Sequence, residues 1–248
     1  MKLRAATNFK FQYYLKLLSV IGAFYIVFAL VGPGLLSLSS DDKLGIWEPE
    51  ILFSIYSALA IFFTSTTCMR FLFQNGASRK TMFLSTFFTL IIGNIICITT
   101  SQILKFIVSF IPNVHIINQF YSLYGHYFHS SILNHSLYLV LIFVVSLMIS
   151  SFAMLLGTLF SLITKIMKMI IFGLIGFIVI FIVSIINMFN INIIHKLGFL
   201  LGNTHNVHNL HLFPIYPILF GLIIVFIFTF LHYLINTRIE TSMIISEN

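Results

Sequence analysis

Acidic side chains are almost absent from this sequence. Six Asp and Glu stand against 13 Lys and Arg, and not one acid lies between Glu50 and Glu240. Several chemistries fall with them. Ion-coupled transporters commonly bind or relay their ion on an intramembrane carboxylate. Hydrolysis of ATP needs an acid to hold magnesium. Aspartyl intramembrane proteolysis and carboxylate-bridged metal catalysis lack their ligands too. No catalytic residue is assigned, and no cofactor is expected on this chain.

Charge of either sign is scarce. Only 8% of the 248 residues are charged and 59% are hydrophobic, with a mean hydropathy of +1.07. An ordinary soluble domain carries roughly a quarter charged residues, so this chain belongs in lipid. Its two cysteines, Cys68 and Cys97, sit in apolar runs, where they read as small packing residues rather than a disulfide framework. A basic face with interleaved aromatics is also missing, which argues against nucleic acid as a partner.

A helix needs about 20 apolar residues to cross the hydrocarbon core. Six stretches meet that length: Leu17 to Leu36, Ile51 to Met69, Thr81 to Leu104, Ser136 to Ile163, Met169 to Asn187 and Phe213 to Ile235. The fold class expected is an all-α polytopic membrane protein in a single transmembrane domain. The division between the fourth and fifth spans rests on Lys165 and Lys168 alone. A secretory signal peptide is the alternative for the first span, but its apolar run exceeds the 7 to 15 residues typical of one.

Lysine and arginine orient the array. With the N-terminus inside, the inner segments hold Lys2, Arg4, Lys10, Lys16, Arg70, Arg79, Lys80, Lys165, Lys168 and Arg238. The outer side keeps Lys43, Lys105 and Lys196, together with Asp41, Asp42, Glu48 and Glu50. Both termini are expected in the cytoplasm. Residues 1–16 place Leu3, Ala6, Phe9 and Tyr13 at helical spacing, a pattern that fits an elbow helix lying on the inner leaflet.

The most polar stretch is RFLFQNGASRKTMF, residues 70–83. It approaches a phosphate-binding loop but has Arg79 where the glycine before the lysine belongs, and it follows no buried strand. Residues 51–73 make about 35 Å of helix, longer than the core of about 30 Å, so the last turn should project inward. Asn75-Gly76 is a plausible helix stop and Ser78 a plausible N-cap.

Within the membrane, polar residues gather on spans two and three. Hydroxyls often bond back to their own helix, so Asn94 and Gln102 are the stronger pathway candidates, with Thr66 and Thr67 beside them. Lys105 is expected to snorkel to the outer surface. Eight of nine histidines fall in the two long outer loops: His115, His126, His129, His135, His195, His205, His208 and His211. Two histidines at i, i+3 could hold a metal, but no cysteine or carboxylate completes a set, and no metal site is assigned.

In these features together the sequence resembles the permease subunits of ABC-2 type ATP-binding-cassette transporters. The features are its length, six spans with both ends inside, the basic lead-in from Lys2 to Lys16, the hairpin from Phe73 to Thr81, and a long outer loop before the last span. The resemblance implies a pathway formed by a homodimer or heterodimer in a bacterial plasma membrane. It also implies a separate cytoplasmic ATPase carrying ATP and Mg. Arg70, Phe73, Gln74, Asn75, Gly76, Ser78, Arg79 and Lys80 would form the surface where that ATPase couples. Implied by analogy is export of an amphipathic or hydrophobic cargo, a peptide or lipid-like molecule, or immunity to such a peptide. A membrane enzyme using the outer histidines and a non-transport membrane scaffold are the alternatives.

Overall fold

A computed structural model describes residues 2–25, 44–47, 49–110, 114–117, 124, 128, 130–162 and 214–238. Among them the chain forms five helices: α1 (Leu3–Tyr25), α2 (Pro49–Gln74), α3 (Arg79–Val108), α4 (Ser131–Ser161) and α5 (Ile215–Arg238). Four of these, α2 to α5, are long and apolar enough to cross a membrane. The chain is an all-helical membrane protein, apart from one short departure. Strand β1 (Leu44–Trp47) pairs in parallel with β2 (Val114–Ile117), Leu44 opposite Val114. Both strands come from segments expected as outer loops, and strand pairing satisfies their backbone groups mutually. The expected fifth span, 169–187, lies outside the described residues, as do residues 26–36 of the first.

Helix α4 is central. Its contact with α2 is the most extensive in the bundle, and α5 packs along its other side. Leu141 meets Ile218 near one end, Phe152 meets Phe228 further along, and Leu162 and Ile235 join a shared cluster at the other end. Helices α4 and α5 therefore run in the same direction.

That shared cluster gathers one end of every described helix. Ala6, Met69, Leu72, Ala77 and Met82 are buried together, with Phe9, Phe73, Leu162 and Ile235 against them. The start of α1 thus meets the α2–α3 turn and the ends of α4 and α5. We call this the hairpin end.

The elbow helix expected over residues 1–16 falls within a longer helix, α1. Leu3–Tyr25 is one continuous helix, and it packs lengthwise on α3 and α2. Its buried stripe is Ala6, Lys10, Tyr14 and Leu18, a strict four-residue repeat. The Tyr14 ring lies over Gly93, where an added Cβ would stand 2.6 Å from ring carbon Cζ. The periodicity was amphipathic, but the apolar stripe faces neighbouring helices instead of lipid. Lys10 can join it because Met82 O and the Thr86 hydroxyl accept from its ammonium. Both acceptors sit in the first turns of α3.

The turn between α2 and α3 has the caps expected of it. Gly76 adopts φ +68°. Its N–H donates to Phe73 O at 3.0 Å, and the Ala77 N–H to Leu72 O at 3.0 Å. This crossed pair is a Schellman stop, completed by burial of Ala77 with Leu72. Ser78 then caps α3, its oxygen accepting from the Thr81 N–H at 3.2 Å. No atom lies within 4 Å of a Cβ built on Gly76, so a side chain there meets only backbone strain. Gly76→Ala should lower stability by about 1–2 kcal/mol, read as a lower midpoint of thermal unfolding in detergent. Ser78→Ala should cost about 1 kcal/mol in the same assay.

Candidate functional site

Two polar assemblies stand out against the apolar bundle, along with the exposed turn. The first is built around Asn94, which is fully buried in the middle of α3. Its Oδ1 accepts from Ser57 on α2 at 3.2 Å, from Ser150 on α4 at 3.1 Å, and from Ser146 on α4. Its Nδ2 donates to Leu90 O one turn back at 2.8 Å. Ser57 in turn meets the Tyr14 hydroxyl at 2.9 Å, and that hydroxyl lies 3.3 Å from Cys97 Sγ. One amide therefore ties α1, α2, α3 and α4 together. In lipid, such interhelical bonds hold helices that the hydrophobic effect alone does not distinguish.

Asn94 had been expected to line a pathway. Its carbonyl oxygen accepts from three serine hydroxyls inside the bundle. Thr66 is similarly engaged, its hydroxyl donating to Phe62 O on its own helix and reaching Gly157 O on α4 at 3.1 Å. Thr67 is exposed on another face of α2. The two threonines diverge because neighbours on a helix lie about 100° apart.

Gln102 belongs to the second assembly, at the end opposite the hairpin. Its Nε2 donates to Glu50 Oε1 at 3.0 Å. The same oxygen accepts from Lys105 Nζ at 3.1 Å and from the Tyr138 hydroxyl at 2.8 Å. Lys105 also donates to Tyr138 Oη at 3.0 Å and stands 4.8 Å from the centre of its ring. Glu50, counted above as an outer topological charge, is thus a buried residue with 1% exposure. Lys105, expected to snorkel, keeps most of its length inside and is an ion-pair partner. A carboxylate in the first turn of a helix also suits the helix dipole. The sequence signal was available: Gln102 and Lys105 are three residues apart on one helical face, opposite the only acid at the start of α2.

The turn residues proposed for coupling lie at the hairpin end. Gln74, Asn75, Gly76, Ser78, Arg79 and Lys80 are exposed, while Phe73 is half-buried. Arg70 is in the last turns of α2. Arg79 is not a free arm, since its Nη1 donates to Thr237 O at 2.6 Å at the C-terminal end of α5. Asn75 likewise donates back to Phe71 O at 2.8 Å. Gln74, Ser78 and Lys80 complete the outward face of the tip.

His232, left aside in the sequence, is buried on α5 beside Asn236, whose amide lies 2.8 Å from Nε2. Of the outer histidines, His115 lies in β2 and His135 is exposed near the start of α4. His126, His129, His195, His205, His208 and His211 lie outside the described residues. No three metal-ligating side chains come together among the described residues.

Removing one member of a buried ion pair strands the other, at a cost of about 3–5 kcal/mol. Lys105→Met should therefore destabilise the protein by that order in denaturation monitored by helicity. Glu50→Gln combined with Lys105→Met should recover most of the loss, because the carboxylate charge goes with its partner. Additive losses would contradict the coupling.

Comparison with protein-family models, with curated proteins and with solved structures finds no match to this chain.

Proposed function

We propose that this chain is the membrane-spanning permease subunit of an ATP-driven exporter of the ABC-2 kind. The reading rests chiefly on the α2–α3 turn: a rigid, doubly capped tip that presents Gln74, Asn75, Ser78, Arg79 and Lys80 outward. The bias of Lys and Arg favours the cytoplasmic side for that tip, and the membrane in this reading is a bacterial plasma membrane. The chain carries no acid between Glu50 and Glu240 with which to hold magnesium at a nucleotide, so the energy comes from a separate ATPase bound to ATP and Mg.

The mechanism follows from what the tip touches. Closure of paired ATPases pushes on the turn. Ala77 and Leu72 pass the displacement to Ala6 of α1 through their shared cluster, and Arg79 passes it to α5 through Thr237. Tilting these helices against α3 and α4 strains the Asn94 network, which is the closed state of the bundle. Two such subunits, identical or different, enclose the path between them. An interior of hydroxyls and amides in an apolar frame suits an amphipathic or hydrophobic cargo, peptide or lipid-like, better than a sugar or an ion.

The experiment is co-purification of the chain with a cytoplasmic ATPase encoded beside it, followed by charge reversal. Lys80→Glu alone, and Arg79→Glu with Lys80→Glu, should weaken ATPase association roughly tenfold or more, the scale of an interface hot spot. Membrane-stimulated ATP hydrolysis should fall with it. Lys80→Glu isolates docking, because Arg79 also holds α5. If both variants bind and stimulate the ATPase as the parent does, the coupling assignment is wrong.

A further inference from the structure

Helix α5 is fastened to the bundle unevenly. Of its 24 residues, Gly221, His232 and Asn236 are the buried ones, and no residue from 222 to 231 is buried. A Cβ built on Gly221 would stand 2.5 Å from Val144 Cγ1, so the backbone of α5 rests directly on that side chain of α4. The second attachment begins at His232, eleven residues further and about 16 Å along the helix. There the Asn236 amide nitrogen donates to His232 O at 2.9 Å and lies 2.8 Å from Nε2, which keeps both side chains' bonds within α5. Val225, Phe228 and Ile235 touch the core from half-buried positions.

The first turns of α3 supply what crosses to this end of α5. The Phe83 ring lies 5.5 Å from the ring of His232 and 5.2 Å from that of Tyr233. One turn earlier, Arg79 Nη1 donates to Thr237 O at 2.6 Å. Arg79 stands at the wrong end of its own helix. The first turn of α3 holds no acid, and a cation there opposes the helix dipole. At the C-terminal end of α5 the same guanidinium meets the negative pole and a carbonyl with no intrahelical donor. Its favourable electrostatics therefore belong to α5. The bond is exposed, whereas the Gly221 contact is buried and apolar. The two attachments differ in kind: one is fixed by shape, the other by a single reachable bond.

We propose that α5 is a hinged helix, pivoting where Gly221 rests on Val144, and that Arg79 is the latch holding its C-terminal end to the hairpin tip. With the bond made, α5 lies along α4 with its last turns against α3. With the bond broken, that end keeps only ring contacts and half-buried side chains, and it swings away while the Gly221 end stays in place. Any group that takes the guanidinium from Thr237 O, or any movement of the tip away from it, frees the helix. Hinge and latch rest on the contacts of α5 with α3 and α4 alone, so they stand independently of the transport reading.

The test is pulsed spin–spin distance measurement on the full chain in lipid nanodiscs, with labels carried by noncanonical amino acids so that Cys68 and Cys97 stay in place. One pair, at Asn8 on α1 and Leu234 on α5, reads the hairpin end. The other, at Ile55 on α2 and Leu219 on α5, reads the Gly221 end; all four positions are exposed. The wild-type protein should give one narrow distance for each pair. Arg79→Met keeps the length of an exposed side chain and removes its donors. It should add a second, longer distance to the Asn8–Leu234 pair while the Ile55–Leu219 distance stays within about 1–2 Å, the scale of an ordinary helix shift. Lys80→Met removes the neighbouring charge and should leave both pairs as in the wild type. The proposal is overturned if Arg79→Met leaves both pairs unchanged or alters both alike, or if Lys80→Met opens the hairpin end as far.

Discussion

The bond that the rest of the bundle depends on is the one Asn94 makes with the serines around it. Hydrophobic burial does not select one helix arrangement over another when lipid is as apolar as a leucine core. A buried amide does select, because leaving its carbonyl unmatched costs free energy that nearby hydroxyls recover. Ser57, Ser146 and Ser150 can reach Asn94 Oδ1 together only if α2, α3 and α4 stand in one register. Tyr14 extends the same chain of bonds to α1. Small side chains surround the hub, and Gly93 gives the tyrosine ring its seat.

From that centre the two ends differ in kind. The hairpin end is an apolar cluster to which all five described helices contribute, beneath an exposed turn with one arginine tied to α5. The opposite end is electrostatic, a buried acid shared among a lysine, an amide and a phenol. Between them lies a buried polar core. Movement at the hairpin must therefore be accommodated either by breaking Asn94's bonds or by rotating whole helices about them.

Legibility in the sequence varied with the distance over which the deciding interaction acts. The turn was readable, since Asn75-Gly76 and Ser78 act on backbone atoms within five residues. Asn94 and Gln102 were readable as important, because amides in apolar spans need partners; which partners they took was not. Thr67 looked equivalent to Thr66 and faces away from the bundle, since only the neighbouring helix determines which face is inside. The burial of Lys10 and Glu50 was not legible for a related reason. A charge near the end of an apolar segment reads as a topological marker until three-dimensional neighbours supply its acceptors or donors.

Composition alone was enough to place this chain in lipid, because 8% charge cannot clothe a soluble surface. The lengths of the apolar runs set the helices long enough to cross a membrane. These conclusions follow from sums along the chain and do not depend on which residues meet. Tertiary structure decided the rest. It packed the amphipathic lead-in along α2 and α3, joined Asn94 to three serines, and drew Glu50 into a buried cluster with Gln102, Lys105 and Tyr138. Each outcome depends on contacts between residues 37 to 88 positions apart, and their pairing energy exists only once the helices have been brought together.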